Sequence, residues 1–305
     1  VINFRYHFVA VISVLFAVTA GLLLGGVALN GSWAGSAQGA NLQQSNKGLR
    51  SQVSELQNQA HGQDRFVQQI APTLLAKKLA GHSVLVVTTP GAAAADRKAV
   101  EGMLTAAGAQ VTGEIGFTDA FVDPTKNDDE VDLAQRLLPL TVRGLPNNSN
   151  GAETSSALIA RVFAAGKENV NDANRTAILA GYGQLKLVTA DAAAVTAAQA
   201  VVIVSGQPST GQDAAKKNAA TLTLVRQFRA AFPAAVLAGS TTVGDGNVLA
   251  AVRADKALAG TLSTVDGVAT APSQVATALA VAEQFAHKTG HYGSGPGATT
   301  ALPAA

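Results

Sequence analysis

The sequence predicts an α/β protein, with an N-terminal transmembrane helix and a coiled-coil stalk followed by one mostly parallel α/β (Rossmann-like) domain. Three observations carry this. Phe8 to Leu29 is an unbroken apolar run, residues 40–75 repeat apolar side chains at heptad spacing, and from residue 76 onward β-branched runs alternate with helical stretches.

The apolar run reads FVAVISVLFAVTAGLLLGGVAL and holds no charge, Asn, Gln or Pro. As a helix it spans about 33 Å, enough for a hydrocarbon core of about 30 Å. A cleavable signal peptide is the competing reading, but its apolar region is usually about 7 to 15 residues. No clean small-x-small cleavage site follows here, so an uncleaved anchor is expected. Arg5 precedes the run and the next cation after it is Lys47. The positive-inside rule then places residues 1–7 in the cytoplasm and the bulk of the chain outside the cell membrane. Trp33 suits the outer interface, and residues 30–39 are a linker. Ala17, Gly21 and Gly25 form a small-residue stripe at i+4 spacing, which lets two helices pair closely.

The stalk is assigned to residues 40–75. Its a positions are Leu42, Leu49, Leu56, Gln63 and Ile70, and its d positions are Asn46, Val53, Ala60 and Val67. Apolar residues dominate that seam, as a coiled-coil homodimer requires, while Asn46 and Gln63 fix register at some cost in stability. The alternative is a single amphipathic helix lying on its own domain. Pro72 ends the seam or kinks it.

Residues 76–288 form the extracytoplasmic domain. Strands are expected at 82–89, 110–117, 186–189, 200–205, 235–239 and 260–265. Helices are expected at 94–107, before Leu138, and at 152–166, 173–183, 214–231 and 273–286. Asp128, Asp129 and Glu130 suit a helix N-terminus better than a metal cluster. The glycine-rich tail, 289–305, reads as low-complexity and disordered.

Composition removes several function classes. With 22 Lys plus Arg against 20 Asp plus Glu and no basic tract, the chain has no nucleic-acid footprint. Cysteine is absent, which excludes disulfides, thiolate metal sites and a cysteine nucleophile. The loops after the strands carry Thr89 and Gly91, Ser205 and Gly206, and Ser240 and Asp245, a candidate polar cleft beyond the strand ends. They hold no Lys or Arg, no phosphate-binding fingerprint and no nucleophile–base pair, so connectors are expected and an enzyme is not. The only metal candidates are His287 and His291, four apart but separated by Gly290, where a helix would end. No cofactor follows from the residues themselves.

Two segments resemble a known family. FRYHFVAVISVLFAVTAGLLLG, with Arg5, His7, Gly21, Leu24 and Gly25, is similar to the N-terminus of the actinobacterial copper transport family typified by MctB. LSTVDGVATAPSQVATALAVAEQF and HYGSGPGATTALP, with Ser263, Thr264, Val265, Asp266, Tyr292 and Gly293, resemble that family's closing segment. Gly267 departs from the pattern, which has Asn after the Asp. The resemblance implies copper efflux across the cell envelope, with the outer membrane as one location, and copper enters only through it. It also implies a role in cell separation through an envelope partner. The residues themselves favour that second role: a membrane-anchored, dimeric, non-enzymatic scaffold binding a partner protein.

Overall fold

The computed structural model describes residues 38–166, 168–190, 195–240 and 244–303, with side chains in the first helix from residue 46 onward. The expected anchor, with Ala17, Gly21 and Gly25, lies outside the described residues, as do Arg5 and His7. Among the described residues no helix is long and apolar enough to cross a membrane.

The chain divides at Gln63/Asp64 into two compact units. Helix α1 runs Gln38–Leu75. In its first part Leu49 is 59% and Val53 52% exposed, and Leu56 is half-buried. Pro72 does not end the helix, which continues to Leu75. The last turns belong to the second unit: Ala71 and Leu75 are buried in its core, with Val67 packed against it. Val67, a d position of the expected seam, is half-buried against this core. Asp64 Oδ1 accepts the amide of Ala271 at 2.8 Å, fixing this end of α1.

The second unit is a three-layer α/β/α sandwich around one seven-stranded sheet. Its strands are β1 (Ser83–Thr88), β2 (Gln110–Phe117), β3 (Val188–Thr189), β4 (Ala200–Val204), β5 (Ala234–Gly239), β6 (Ser263–Asp266) and β7 (His291–Tyr292). They lie in the order β3-β2-β1-β4-β5-β6-β7, all parallel except β3, which runs antiparallel to β2. The helices after α1 are α2 (Ala94–Ala106), α3 (Asn127–Arg136), α4 (Gly151–Phe163), α5 (Asp172–Gln184), α6 (Ala214–Ala231), α7 (Val248–Ala254), α8 (Lys256–Ala259) and α9 (Ala271–Phe285).

Continuous Val, Ile, Leu and Ala runs place β1, β4 and β5 in the centre, where both faces must be apolar. Alternation then divides each strand between two cores. Leu85, Val87, Val201, Ile203 and Leu237 face a core closed by α3 to α8. Val84, Val86, Val202, Val204 and Val236 face one closed by α1, α2 and α9.

The tail is the main correction. Residues expected to be disordered form β7, beside β6, and continue as an ordered strap to Pro303. The physical reason is Asp266, described next.

Candidate functional site

The order of β1 and β4 makes a topological switch, where a ligand crevice is expected beyond the carboxyl ends of the strands. Thr89, Gly91, Ser205 and Gly206 do meet there, but the space is filled. Thr89 N donates to Val204 O at 3.1 Å and Gly206 N to Thr89 Oγ1 at 3.0 Å. A Cβ on Gly206 would lie 2.2 Å from Pro90 O, so one loop rests directly on the other. Asn218, on α6, pins the β4 loop through both its side-chain atoms, accepting from Ser209 N at 2.8 Å and donating to Ser209 O at 3.2 Å. Ser240 is half-buried at the end of β5, and Asp245 is exposed on the turn before α7. Among the described residues the loops after β1 and β4 thus form a packed junction, as expected of connectors, and the candidate cleft is filled there.

The family-motif residues near the C-terminus meet around one buried ion pair. Arg253, from α7, bonds Asp266 at 2.8 Å, with side chains 5% and 2% exposed. The guanidinium also donates to Thr264 Oγ1 (2.8 Å), Tyr292 O (2.8 Å) and Pro296 O (2.9 Å). Asp266 Oδ1 accepts the amides of Ser294 (2.9 Å) and Gly295 (3.0 Å). Gly293, at φ +122°, is required there: its Cβ would lie 2.3 Å from the Asp266 carboxyl carbon. Ser263 Oγ accepts from Gln284 Nε2 (2.8 Å) and Gly290 N (3.2 Å), and Tyr292 Oη donates to Glu283. Ser263, Thr264, Asp266 and Tyr292 therefore hold the tail to the sheet. Gly267 has φ +72°, a conformation open to Gly and Asn alike, so Gly in place of Asn preserves the turn.

The two tail histidines do not share a helix face, because α9 ends at Phe285. His287 is exposed in a left-handed conformation after the helix. His291 lies on β7 with Nδ1 2.9 Å from Thr264 Oγ1, and burial followed by the Arg253 charge lowers its pKa. Among the described residues no cluster of three or more His, Cys, Asp or Glu could hold a metal ion.

An open cavity of about 920 Å³ lies elsewhere, where the chain leaves β2 and β4. One wall is the segment Phe121–Thr125 and the start of α3, another is Asn148–Asn150 and the start of α4, and the third is Lys216 to Thr223 on α6. Asn150 caps α4 by accepting Glu153 N at 3.1 Å, and Asn127 Oδ1 accepts Gly151 N at 2.8 Å. Asp128, Asp129 and Glu130 occupy the first turn of α3, as expected. Glu130, however, lines this cavity while only 1% exposed, and its Oε1 has no hydrogen-bond partner. Burial, with a smaller contribution from Asp129, pushes its pKa up to about 9. Beneath it Tyr182 Oη donates to Ser155 Oγ (2.8 Å), which donates to Glu130 O (3.1 Å). Sequence reading passed over Arg253, and placed Glu130 at a helix start without its burial. Their signal is a lone cation in the apolar helix VLAAVRA, and an acid in helical phase with buried Leu133 and Ala134.

The fold and its fastened tail define a doubly wound α/β domain. The chain belongs to the family described as copper transport outer membrane protein, MctB, which matches residues 1–303. It is 29% identical over 262 residues to the copper transporter MctB of Mycobacterium leprae, covering 77% of each chain. It is 26% identical over 326 residues to the copper transporter MctB of Mycobacterium tuberculosis, covering 97% of this chain and 98% of the relative. The Mycobacterium bovis protein of the same name matches to the same extent.

Proposed function

We propose that this chain serves copper export at the cell envelope as a non-enzymatic, membrane-anchored homodimer that positions its α/β domain for a partner protein. The observation that carries the copper role is the family match, which runs over residues 1–303. Phe8–Leu29 is the single-pass anchor, with its N-terminus cytoplasmic, and the exposed Leu49 and Val53 with Leu56 form the dimer seam. The adaptor role rests on donor chemistry. Cu(I) prefers sulfur ligands, and the chain offers no cysteine and one methionine, Met103, which packs against the domain core. Copper is cargo of the system in this reading, and the protein's part is to hold and recruit.

Cellular copper content tests this, in a mycobacterial strain lacking its own relative and complemented with this chain. Intact chain should lower copper to the parental level, and so should His287→Ala with His291→Ala. Leu49→Asp with Leu56→Asp should fail to do so despite equal protein abundance. If the intact chain leaves copper content unchanged, the copper role falls. If the histidine variant alone fails, the chain handles the metal directly.

A further inference from the structure

The groove between α3, α4 and α6 has a feature that packing alone does not require. Glu130 is almost wholly buried at its wall, and Oε1 lacks a partner. An unsatisfied buried acid is costly, and such groups concentrate where a ligand completes them. Around it the groove is rich in carboxylates whose partners are neutral. Asp128 accepts from Asn127 (3.0 Å), and Glu153 accepts from Asn148 (2.9 Å) and Gln227 (3.3 Å). Of the lysines nearby, Lys126 pairs with Asp129 and Lys216 with Asp213, each at 3.0 Å, while the charge of Lys217 acts on Asp123 at the far wall. Apolar Val122 and Pro124 line part of the wall and suit an aliphatic stem behind a charged head.

We propose that this groove takes a ligand bearing a primary ammonium or guanidinium group, which seats against Glu130 and is flanked by Asp128 and Glu153. The site is independent of the copper reading. The titratable and charged groups around the groove are Asp128 and Asp129 on the helix of Glu130, Asp123 and Lys126 just before it, Glu153 on α4, Tyr182 on α5, and Lys216 and Lys217 on α6. In the empty groove Glu130 holds its proton at neutral pH, since burial raises its pKa and Asp129 adds to the effect. A cation against the carboxyl favours the ionised form. The O–H bond breaks, the proton passes to buffer, and the carboxylate pairs with the ligand. Binding at pH 7 therefore releases about one proton per ligand.

Titration calorimetry of the full chain in non-ionic detergent tests this, run at pH 7 in two buffers of different ionisation enthalpy. The probes are agmatine, the peptide Ac-Gly-Arg-Gly-Arg-Gly-NH2, and the same peptide with citrulline at both arginines. Agmatine, the arginine peptide or both should bind with proton release, and the citrulline peptide should bind at least tenfold more weakly. Agmatine alone points to a free amine as the natural ligand; the arginine peptide alone points to a protein segment. E130Q should abolish proton release and weaken binding at least tenfold. If E130Q melts early and cannot be titrated, D128N with E153Q should weaken binding while leaving proton release intact. Absence of binding by both cationic probes overturns the proposal. So does equal binding of the citrulline peptide, or unchanged binding and proton release in E130Q.

Discussion

Arg253 Nη1 lies 2.8 Å from Asp266 Oδ2, and this pair joins α7, β6 and the C-terminal strap at one point. A pair this deeply buried contributes little net stability against an apolar replacement, but breaking it leaves a lone charge in the interior. Asp266→Asn and Arg253→Met should each lower stability by about 3 to 5 kcal/mol. Urea unfolding checks this. Limited proteolysis of the same variants should release the strap after Gly290 before the sheet is cut.

Glu130 gives stability an unusual pH dependence. A carboxyl with an ordinary pKa of 4.5 when unfolded and about 9 when folded binds more protons in the folded state between those values. Its stabilising contribution is complete below pH 4.5 and is lost as pH rises towards 9. At pH 7 the loss is at most about 3 kcal/mol, from about 1.4 kcal/mol per pH unit. Glu130→Gln should remove this slope. Denaturant midpoints measured from pH 5 to 9 should fall for the native chain more steeply than for the variant.

The filled switch point makes opposite predictions for two glycines. Gly206→Ala places a methyl 2.2 Å from Pro90 O, so a loop must move, and a cost of about 2 kcal/mol or more is expected. Gly102→Ala, at an exposed position inside α2 with open space around it, should stabilise by about 0.5 to 1 kcal/mol. Paired thermal melts decide both. A neutral Gly206→Ala would mean that the crevice opens readily and deserves renewed scrutiny as a ligand site.

The sheet was readable because β1, β4 and β5 are apolar runs that only a strand buried on both faces explains. The helices Ala94–Ala106 and Ala214–Ala231 were readable from their patterns. What escaped was order imposed from a distance. The segment GHYGSGPG carries no periodicity, and its glycines resemble a linker. Their role is visible only once Asp266, some 28 residues earlier, accepts the amide of Ser294. Short helices α7 and α8 were missed because neither spans enough residues to show a period. The cleft residues Thr89 and Gly206 were placed correctly beyond the strand ends, but sequence could not show that Gly206 permits closure and not access. Glu130 was assigned to a helix start, where it is; its burial depends on α4 crossing above it at Gly151, whose Cβ would lie 2.7 Å from that of Glu130.

The proposed anchored homodimer works without binding copper itself. The most direct test is the sedimentation-derived protein mass of the full chain in non-ionic detergent, with and without copper. The account predicts a dimer in both conditions, and a mixture shifted to monomer for Leu49→Asp with Leu56→Asp. A native chain that is monomeric without copper and assembles only when copper is added would contradict it.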